Sequence, residues 1–206
     1  MTLRTDISFR DLVGFDLRKK GRAVRLVAGV DEAGRGAMAG PVVAAAVICE
    51  PNENLSRVRD SKLLSEPVRE KLYELIGAAS LAWGVGIVGP GEIDRINIFN
   101  ATLKAMGEAL AALDPVPCLA LIDGRHVPPV DITAEAVKGG DGKSFCIAAA
   151  SIIAKVTRDR IMRERAVDFP GYGFDRNKGY GTREHMSAIR RMGRTGFHRM
   201  TFRLHT

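Results

Sequence analysis

Residues 24–49 read Val-Arg-Leu-Val-Ala-Gly-Val-Asp-Glu-Ala-Gly-Arg-Gly-Ala-Met-Ala-Gly-Pro-Val-Val-Ala-Ala-Ala-Val-Ile-Cys. The run Val24 to Val30 is mostly apolar and β-branched, and it ends on the acidic pair Asp31-Glu32. Gly34, Gly36, Gly40 and Pro41 supply turn residues before a second apolar run, Val42 to Cys49. Two short apolar runs joined by a glycine-rich connection predict a pair of antiparallel strands.

Outward from that pair, strands alternate with helices. Ser65-Glu66-Pro67 offers an N-cap, a first-turn acid and an early proline. Val68, Leu72, Leu75 and Ile76 follow at helical spacing, so a helix runs to about Ala79. Leu81 to Val88 reads as a third strand, with Trp83 in the core. Glu92-Ile93-Asp94 opens a short turn or helix, and Asn100 to Leu113 a longer helix. Cys118 to Ile122 is a further strand and Val130 to Val137 a weaker fifth. Lys143 to Ala166 is helical, and its small residues Ala148-Ala149-Ala150-Ser151 let it lie close against a sheet. Residues 170–181 read as a loop, Thr182-Arg183-Glu184 as the start of a last helix ending near Gly193, and the tail from Gly196 as basic and irregular. The fold class is α/β, a layered domain with a mixed sheet. Residues 1–23, which end in Arg18-Lys19-Lys20-Gly21-Arg22, read as a basic arm or short helix outside the core; the domain proper spans 24–206.

The chain has 206 residues, 46% of them hydrophobic, enough for one domain with a real core. No apolar run nears the ~20 residues of a membrane span, and the N-terminus lacks the apolar centre of a signal peptide. A soluble, cytoplasmic protein is expected. Cys49, Cys118 and Cys146 lie far apart in apolar runs, which speaks against a disulfide framework or a zinc site and leaves them as small buried hydrophobes. A net charge of +7 suits a nucleic-acid partner and an ordinary basic enzyme equally.

Three acidic positions stand out. Asp31-Glu32 and Asp123 each follow an apolar strand, and Asp141 lies between Gly140 and Gly142 just before a helix. Carboxylates at strand ends and helix starts gather on the rim of a sheet. Brought together they repel, and a hard divalent cation such as Mg²⁺ or Mn²⁺ removes that penalty through oxygen ligands. Turn and cap aspartates have the same local pattern, so these residues alone leave a metal hydrolase and a set of turn aspartates both open. Neither a P-loop nor a Gly-x-Gly-x-x-Gly fingerprint precedes a helix, so nucleotide-triphosphate use is unsupported.

Longer stretches narrow the choice. Gly29 to Val43, Asp60-Ser61-Lys62-Leu63-Leu64-Ser65, Glu92-Ile93-Asp94 with Asn97-Ile98 and Ala101-Thr102, Ile122-Asp123-Gly124, Asp141 to Asp159, Lys178-Gly179-Tyr180-Gly181-Thr182 and His198-Arg199 occur in this order. Together they resemble the type 2 ribonuclease H family in its bacterial ribonuclease HII form, over about residues 24–203. The resemblance implies an RNase H-like fold with a mixed five-stranded sheet, flanking helices and a helical C-terminal part. It implies an endonuclease that cuts the RNA strand of RNA/DNA hybrids and cuts 5′ to a single ribonucleotide in duplex DNA, leaving 3′-hydroxyl and 5′-phosphate ends. The family's four acidic positions fall on Asp31, Glu32, Asp123 and Asp141, which by this resemblance bind two divalent ions, Mn²⁺ or Mg²⁺. One departure is the turn before the last acid: the family pattern Lys-Gly-Asp-x-Lys-Ser is here Lys138-Gly139-Gly140-Asp141-Gly142-Lys143-Ser144.

Such an enzyme must sense the 2′-hydroxyl, which distinguishes RNA from DNA at the site. The resemblance assigns that contact to Gly34-Arg35-Gly36, whose glycines let the backbone approach the sugar, and to Tyr180, whose ring would stack on the neighbouring deoxyribose. Ser61-Lys62 and Lys143-Ser144 pair a hydroxyl with a cation and are candidate phosphate contacts, although Ser144 is equally placed to cap a helix. Asp60 and Asp159 read as structural and His185 as a surface or phosphate-proximal residue. Arg176, Lys178, Arg183, Arg190, Arg191, Arg194, His198, Arg199 and Arg203 form a basic set for sequence-independent affinity. The tail shows no Gln-x-x-Leu-x-x-Phe-Phe clamp-docking pattern, so a monomer without clamp tethering is expected.

Overall fold

The computed structural model describes residues 8–20 and 25–204. In chain order the elements are α1 (Phe9–Lys20), β1 (Val27–Ala33), β2 (Val42–Cys49), α2 (Glu66–Ala79), β3 (Ser80–Val88), α3 (Pro90–Ala111), β4 (Leu119–Asp123), β5 (Ala134–Val137), α4 (Phe145–Asp168), α5 (Phe174–Asn177) and α6 (Arg183–Met192). The sheet order is β3-β2-β1-β4-β5. β1 runs antiparallel to β2 and parallel to β4, so the sheet is mixed, as expected. Val24, expected to open the first strand, and Gly21-Arg22 of the basic run lie outside the described residues.

Two apolar faces cover the sheet. Ala33, Ala45 and Val47 pack with α4, α2 and α1 on one side. Ala28, Val30, Ala44 and Ala46 pack with α3 on the other. Helix α4 rests on β1 almost without side chains between them: a Cβ on Gly29 would lie 2.0 Å from the Cys146 carbonyl carbon. The small residues expected to allow close contact occupy that stretch, Ala148 to Ala150 being fully buried.

Several local expectations need correction. Residues 9–20 do form a short helix, but it packs on the core instead of lying outside it. Phe9, Leu12, Val13 and Asp16 recur at one-turn spacing, which gives the helix an inward face despite its polar composition. Leu12 is buried, Phe9 meets Phe145 edge-on at 5.5 Å, and the Asp16 carboxylate accepts the Cys146 amide at 2.8 Å, capping α4. Trp83 is 38% exposed on β3, an edge strand, where it packs on Tyr73. Cys118 is exposed, whereas Cys49 and Cys146 are buried. The expected turn at 92–94 and the helix from Asn100 are one run, α3, broken at Asn97 (φ 66°), whose side chain accepts the Asn100 amide and so restarts the helix. No helix among the described residues is long and apolar enough to cross a membrane.

Candidate active site

Strand register builds the site. Val30 pairs with Ile122 across the parallel β1–β4 ladder, so Asp31, which lies within β1 rather than after it, emerges beside Asp123 at the end of β4. The turn Gly140–Gly142 brings in Asp141 just ahead of α4. Carboxylate oxygens of Asp31, Asp123 and Asp141 lie within 4.8 Å of one another. Glu32 is not part of that trio. Successive side chains on a strand point to opposite faces, and Glu32 turns to Arg35, whose Nη1 donates to it at 3.3 Å.

The extra glycine before Asp141 has a structural use. Gly139 adopts a left-handed conformation (φ 64°), and the Gly140 amide donates to Asp123 Oδ1 at 2.6 Å. The departure in the motif thus fastens the third acid's turn to the second acid.

Burial, then the charges of Glu32, Asp123 and Asp141, push the Asp31 carboxyl well above the usual carboxylate range. Burial also raises Asp123, aided by Asp141 and opposed by the Gly140 hydrogen bond. Glu32 is raised by burial against the pull of Arg35. Lys62 Nζ donates to Asp141 Oδ2 at 3.0 Å; burial lowers that ammonium, but Asp141, Asp60 and Asp31 outweigh it and the net shift is upward. Clustered oxygen donors that repel one another and already attract a lysine fit a hard divalent cation.

An open cleft over the acids is lined by Gly34, Arg35, Gly36, Ser61, Lys62 and Tyr180, six of the residues expected to bind substrate. The other two are elsewhere. Ser144 is fully buried and caps α4 by accepting the Ile147 amide at 3.2 Å, and Lys143 donates to the Lys138 carbonyl at 2.7 Å. Asp60 accepts the Lys62 amide at 2.9 Å, in keeping with its structural reading. Ser151 and Lys155 also line the cleft and were not singled out in the sequence. Lys155 Nζ bonds Asp159 at 2.8 Å and lies over the Tyr180 ring. Their signal was helical phase: residues 151, 155 and 158 fall on one face of α4.

Two buried arginines brace the Gly34-Arg35-Gly36 loop. Arg158 donates from Nε to the Pro41 carbonyl at 2.9 Å and from Nη2 to the Ala39 carbonyl at 3.2 Å. Arg199 donates from Nε to the Gly40 carbonyl at 3.0 Å and from Nη1 to the Arg35 carbonyl at 2.9 Å. Gly34 (φ 96°) allows this, because a Cβ there would lie 2.0 Å from Arg158 Nε.

Three of the nine residues in the expected basic set are interior, as is His185. Arg199, His198, Lys178 and His185 are all buried, while Arg176, Arg183, Arg190, Arg191 and Arg203 stay exposed. Half-buried Arg194 donates to the Met200 and Phe202 carbonyls at 2.7 and 2.6 Å. His185 and His198 face each other, Nε2 to Nε2, at 3.1 Å. Burial, then His185, pushes His198 down to about 4, whereas a free imidazole titrates near ~6.5. As the pH falls from about 6.5, the unfolded chain takes up a proton that the folded histidine refuses. This contribution to stability is complete above about 6.5 and is lost progressively toward about 4, by roughly 3 kcal/mol in all. Urea unfolding of the wild type and His198→Gln at pH 7 and pH 5 checks this; the variant is expected to lose less stability between the two.

The comparisons with known proteins agree along nearly the whole chain. The family profile described as Ribonuclease HII matches residues 28–205. A ribonuclease HII of Geobacter metallireducens is 50% identical over 203 residues, spanning 98% of this chain and 95% of that one. Among solved structures, the ribonuclease HII of Archaeoglobus fulgidus, in a complex with PCNA, is similar with a TM-score of 0.75 at 28% identity, covering 88% of this chain and 97% of that one. The ribonuclease H2 of Pyrococcus horikoshii is similar at 0.72 and 29%, covering 86% and 94%. With a mixed sheet that gathers three carboxylates and a match over residues 28–205, this chain belongs to the ribonuclease HII family.

Proposed function

We propose that this ribonuclease H endonuclease cuts the RNA strand of RNA/DNA hybrids and, in duplex DNA, cuts on the 5′ side of a single embedded ribonucleotide. Its products carry 3′-hydroxyl and 5′-phosphate ends, and its place in the cell is ribonucleotide excision repair. The observation that carries the reading is one cleft lined by Asp31, Glu32 and Asp123, with Asp141 against them, and by the Gly34-Arg35-Gly36 and Tyr180 walls.

Asp31, Asp123 and Asp141, with Glu32 beside them, would hold two divalent cations, Mn²⁺ or Mg²⁺. Bound there, such ions lower the pKa of water and stabilise charge on the attacking and leaving oxygens. The chain's own residues supply position. Lys62, 76% exposed at its side chain, pairs with Asp141 in this structure and is placed to meet a phosphate once a cation takes over that charge. Ser61, beside it, is a second phosphate contact. Gly34 and Gly36 let the backbone approach the ribose, and the Arg35 carbonyl, held by Arg199, keeps that backbone from shifting. Tyr180, half-buried with Arg158 and Lys155 over its ring, offers a face to the next sugar, where a second 2′-hydroxyl would collide.

Tyr180→Ala tests the recognition half. Cleavage of a duplex with one ribonucleotide, divided by cleavage of an all-RNA strand on DNA, is expected to fall about tenfold or more. An unchanged ratio overturns the reading of Tyr180 as sensor, whereas a wild type that leaves the one-ribonucleotide duplex intact points to a hybrid nuclease that needs several consecutive ribonucleotides.

A further inference from the structure

The two walls of the recognition cleft come from distant parts of the chain, and one dipeptide is linked to both, to one directly and to the other through His185. His198 and Arg199 are neighbours in a C-terminal segment bridged to the loop at Ala39. The Arg199 amide donates to the Met38 carbonyl at 2.9 Å, and its guanidinium holds the Arg35 and Gly40 carbonyls. The segment is itself anchored, since Asp94 on α3 accepts the Met200 and Thr201 amides at 2.8 and 2.9 Å.

His198 reaches the other wall through His185, and the partners fix every proton. The Thr195 amide donates to His198 Nδ1 at 3.0 Å, so that nitrogen is an acceptor and the ring's proton is on Nε2. His185 Nδ1 faces the Tyr180 carbonyl at 2.9 Å, an acceptor only, so His185 carries its proton on Nδ1. His198 Nε2–H therefore donates to the bare Nε2 of His185. The chain runs Thr195 N–H to His198, His198 to His185, and His185 to the Tyr180 carbonyl, with both rings neutral, buried and fully used.

We propose that His198 and Arg199 are positioning residues that set the gap between the Gly34-Arg35-Gly36 loop and Tyr180, and thereby the enzyme's preference for a single ribonucleotide. This rests on the reading of those walls as the 2′-hydroxyl sensor. Neither residue lines the cleft, so each acts through the backbone it holds.

The test measures KM and kcat on a one-ribonucleotide duplex and on an all-RNA hybrid for His198→Leu, His198→Gln, Arg199→Lys and Tyr180→Ala. His198→Leu removes the donor to His185, and glutamine keeps an amide nitrogen near the Nε2 position. Losing a buried hydrogen bond that orients a wall is expected to raise KM for the one-ribonucleotide duplex about tenfold, with kcat on the hybrid changed less than about threefold. His198→Gln should restore most of that selectivity. Arg199→Lys keeps the charge but loses the two-point hold, and should lower selectivity on its own even if His198→Leu fails to fold. Equal losses on both substrates, no rescue by glutamine, or unchanged selectivity in Arg199→Lys overturns the proposal. If Tyr180→Ala collapses selectivity while these variants do not, this inference fails alone; if Tyr180→Ala leaves it intact, the reading of the sensor fails.

Discussion

Replacing Asp31 with asparagine is expected to abolish cleavage and, in metal-free buffer, to make the protein more stable. Asp31 is 5% exposed, stands within 4.8 Å of two other carboxylates and is held above the usual range by burial and by Glu32, Asp123 and Asp141. Folding therefore costs free energy whenever Asp31 is ionised. Because its pKa is raised, the metal-free native state binds that proton more tightly than the unfolded chain. Its stability rises as the pH falls through the raised value. Asparagine keeps the shape and can still accept the Glu32 amide, bonded to Asp31 Oδ1 at 2.7 Å in this structure, while removing the charge. A gain of about 1 kcal/mol is the usual scale for relieving such a functional strain. The same change removes one of the proposed cation ligands from a group that would act as a unit, so cleavage should fall on the order of 10⁴-fold. Thermal unfolding with and without Mn²⁺ checks the pair of effects. The wild type should be stabilised by the ion and the variant much less; a destabilised variant that still cuts would refute the assignment.

The second large effect is at Gly29, where catalysis is reached through packing. A Cβ there would meet backbone, not a movable side-chain tip: 2.0 Å from the Cys146 carbonyl carbon and 2.2 Å from the Ile147 nitrogen. Helix α4 must then back away from β1, opening the apolar contact along Ala148 to Ala150. Overpacking of this kind costs roughly 3 kcal/mol, or about 10 °C in Tm for a domain of this size. Because the Asp141 turn leads directly into α4, Gly29→Ala should also lose activity in the fraction that stays folded. Gly36→Ala is the control, since nothing lies within 4 Å of its Cβ. Its stability should stay within about 0.5 kcal/mol of wild type. Similar melting temperatures for the two variants would contradict the close helix–sheet contact.

What could be read before the structure divides by the range of the interaction. β2 spans Val42–Cys49, as its apolar run indicates, and α2 and β3 begin and end within a residue or two of expectation, because period and turn residues are local. The acids at 31, 123 and 141 were legible as strand-end and pre-helix carboxylates. Their meeting depends on the parallel pairing of β1 with β4, which neither strand's own pattern specifies. Strand alternation, by contrast, was available, and it is what separates Glu32 from the trio. The basic tail misled because charge usually means solvent. Arg199 is buried by carbonyls about 160 positions earlier in the chain, and its pKa is pushed down to about 9 by burial and by Arg158. His185 needed His198 and Tyr180 to become interior. Ser144 fits both a phosphate contact and a helix cap by its local pattern, and the cap is what formed, while Lys143 stays exposed outside the cleft.

Mapping the cut is the most direct test of the proposed reaction. A DNA duplex with one ribonucleotide, labelled at either end of that strand, is incubated with the purified protein in Mn²⁺ or Mg²⁺ and the products are sized against markers. A single cut on the 5′ side of the ribonucleotide, leaving a 3′-hydroxyl upstream and a 5′-phosphate on the ribonucleotide, is the expected result. A cut on its 3′ side, or an intact strand in both ions, contradicts it.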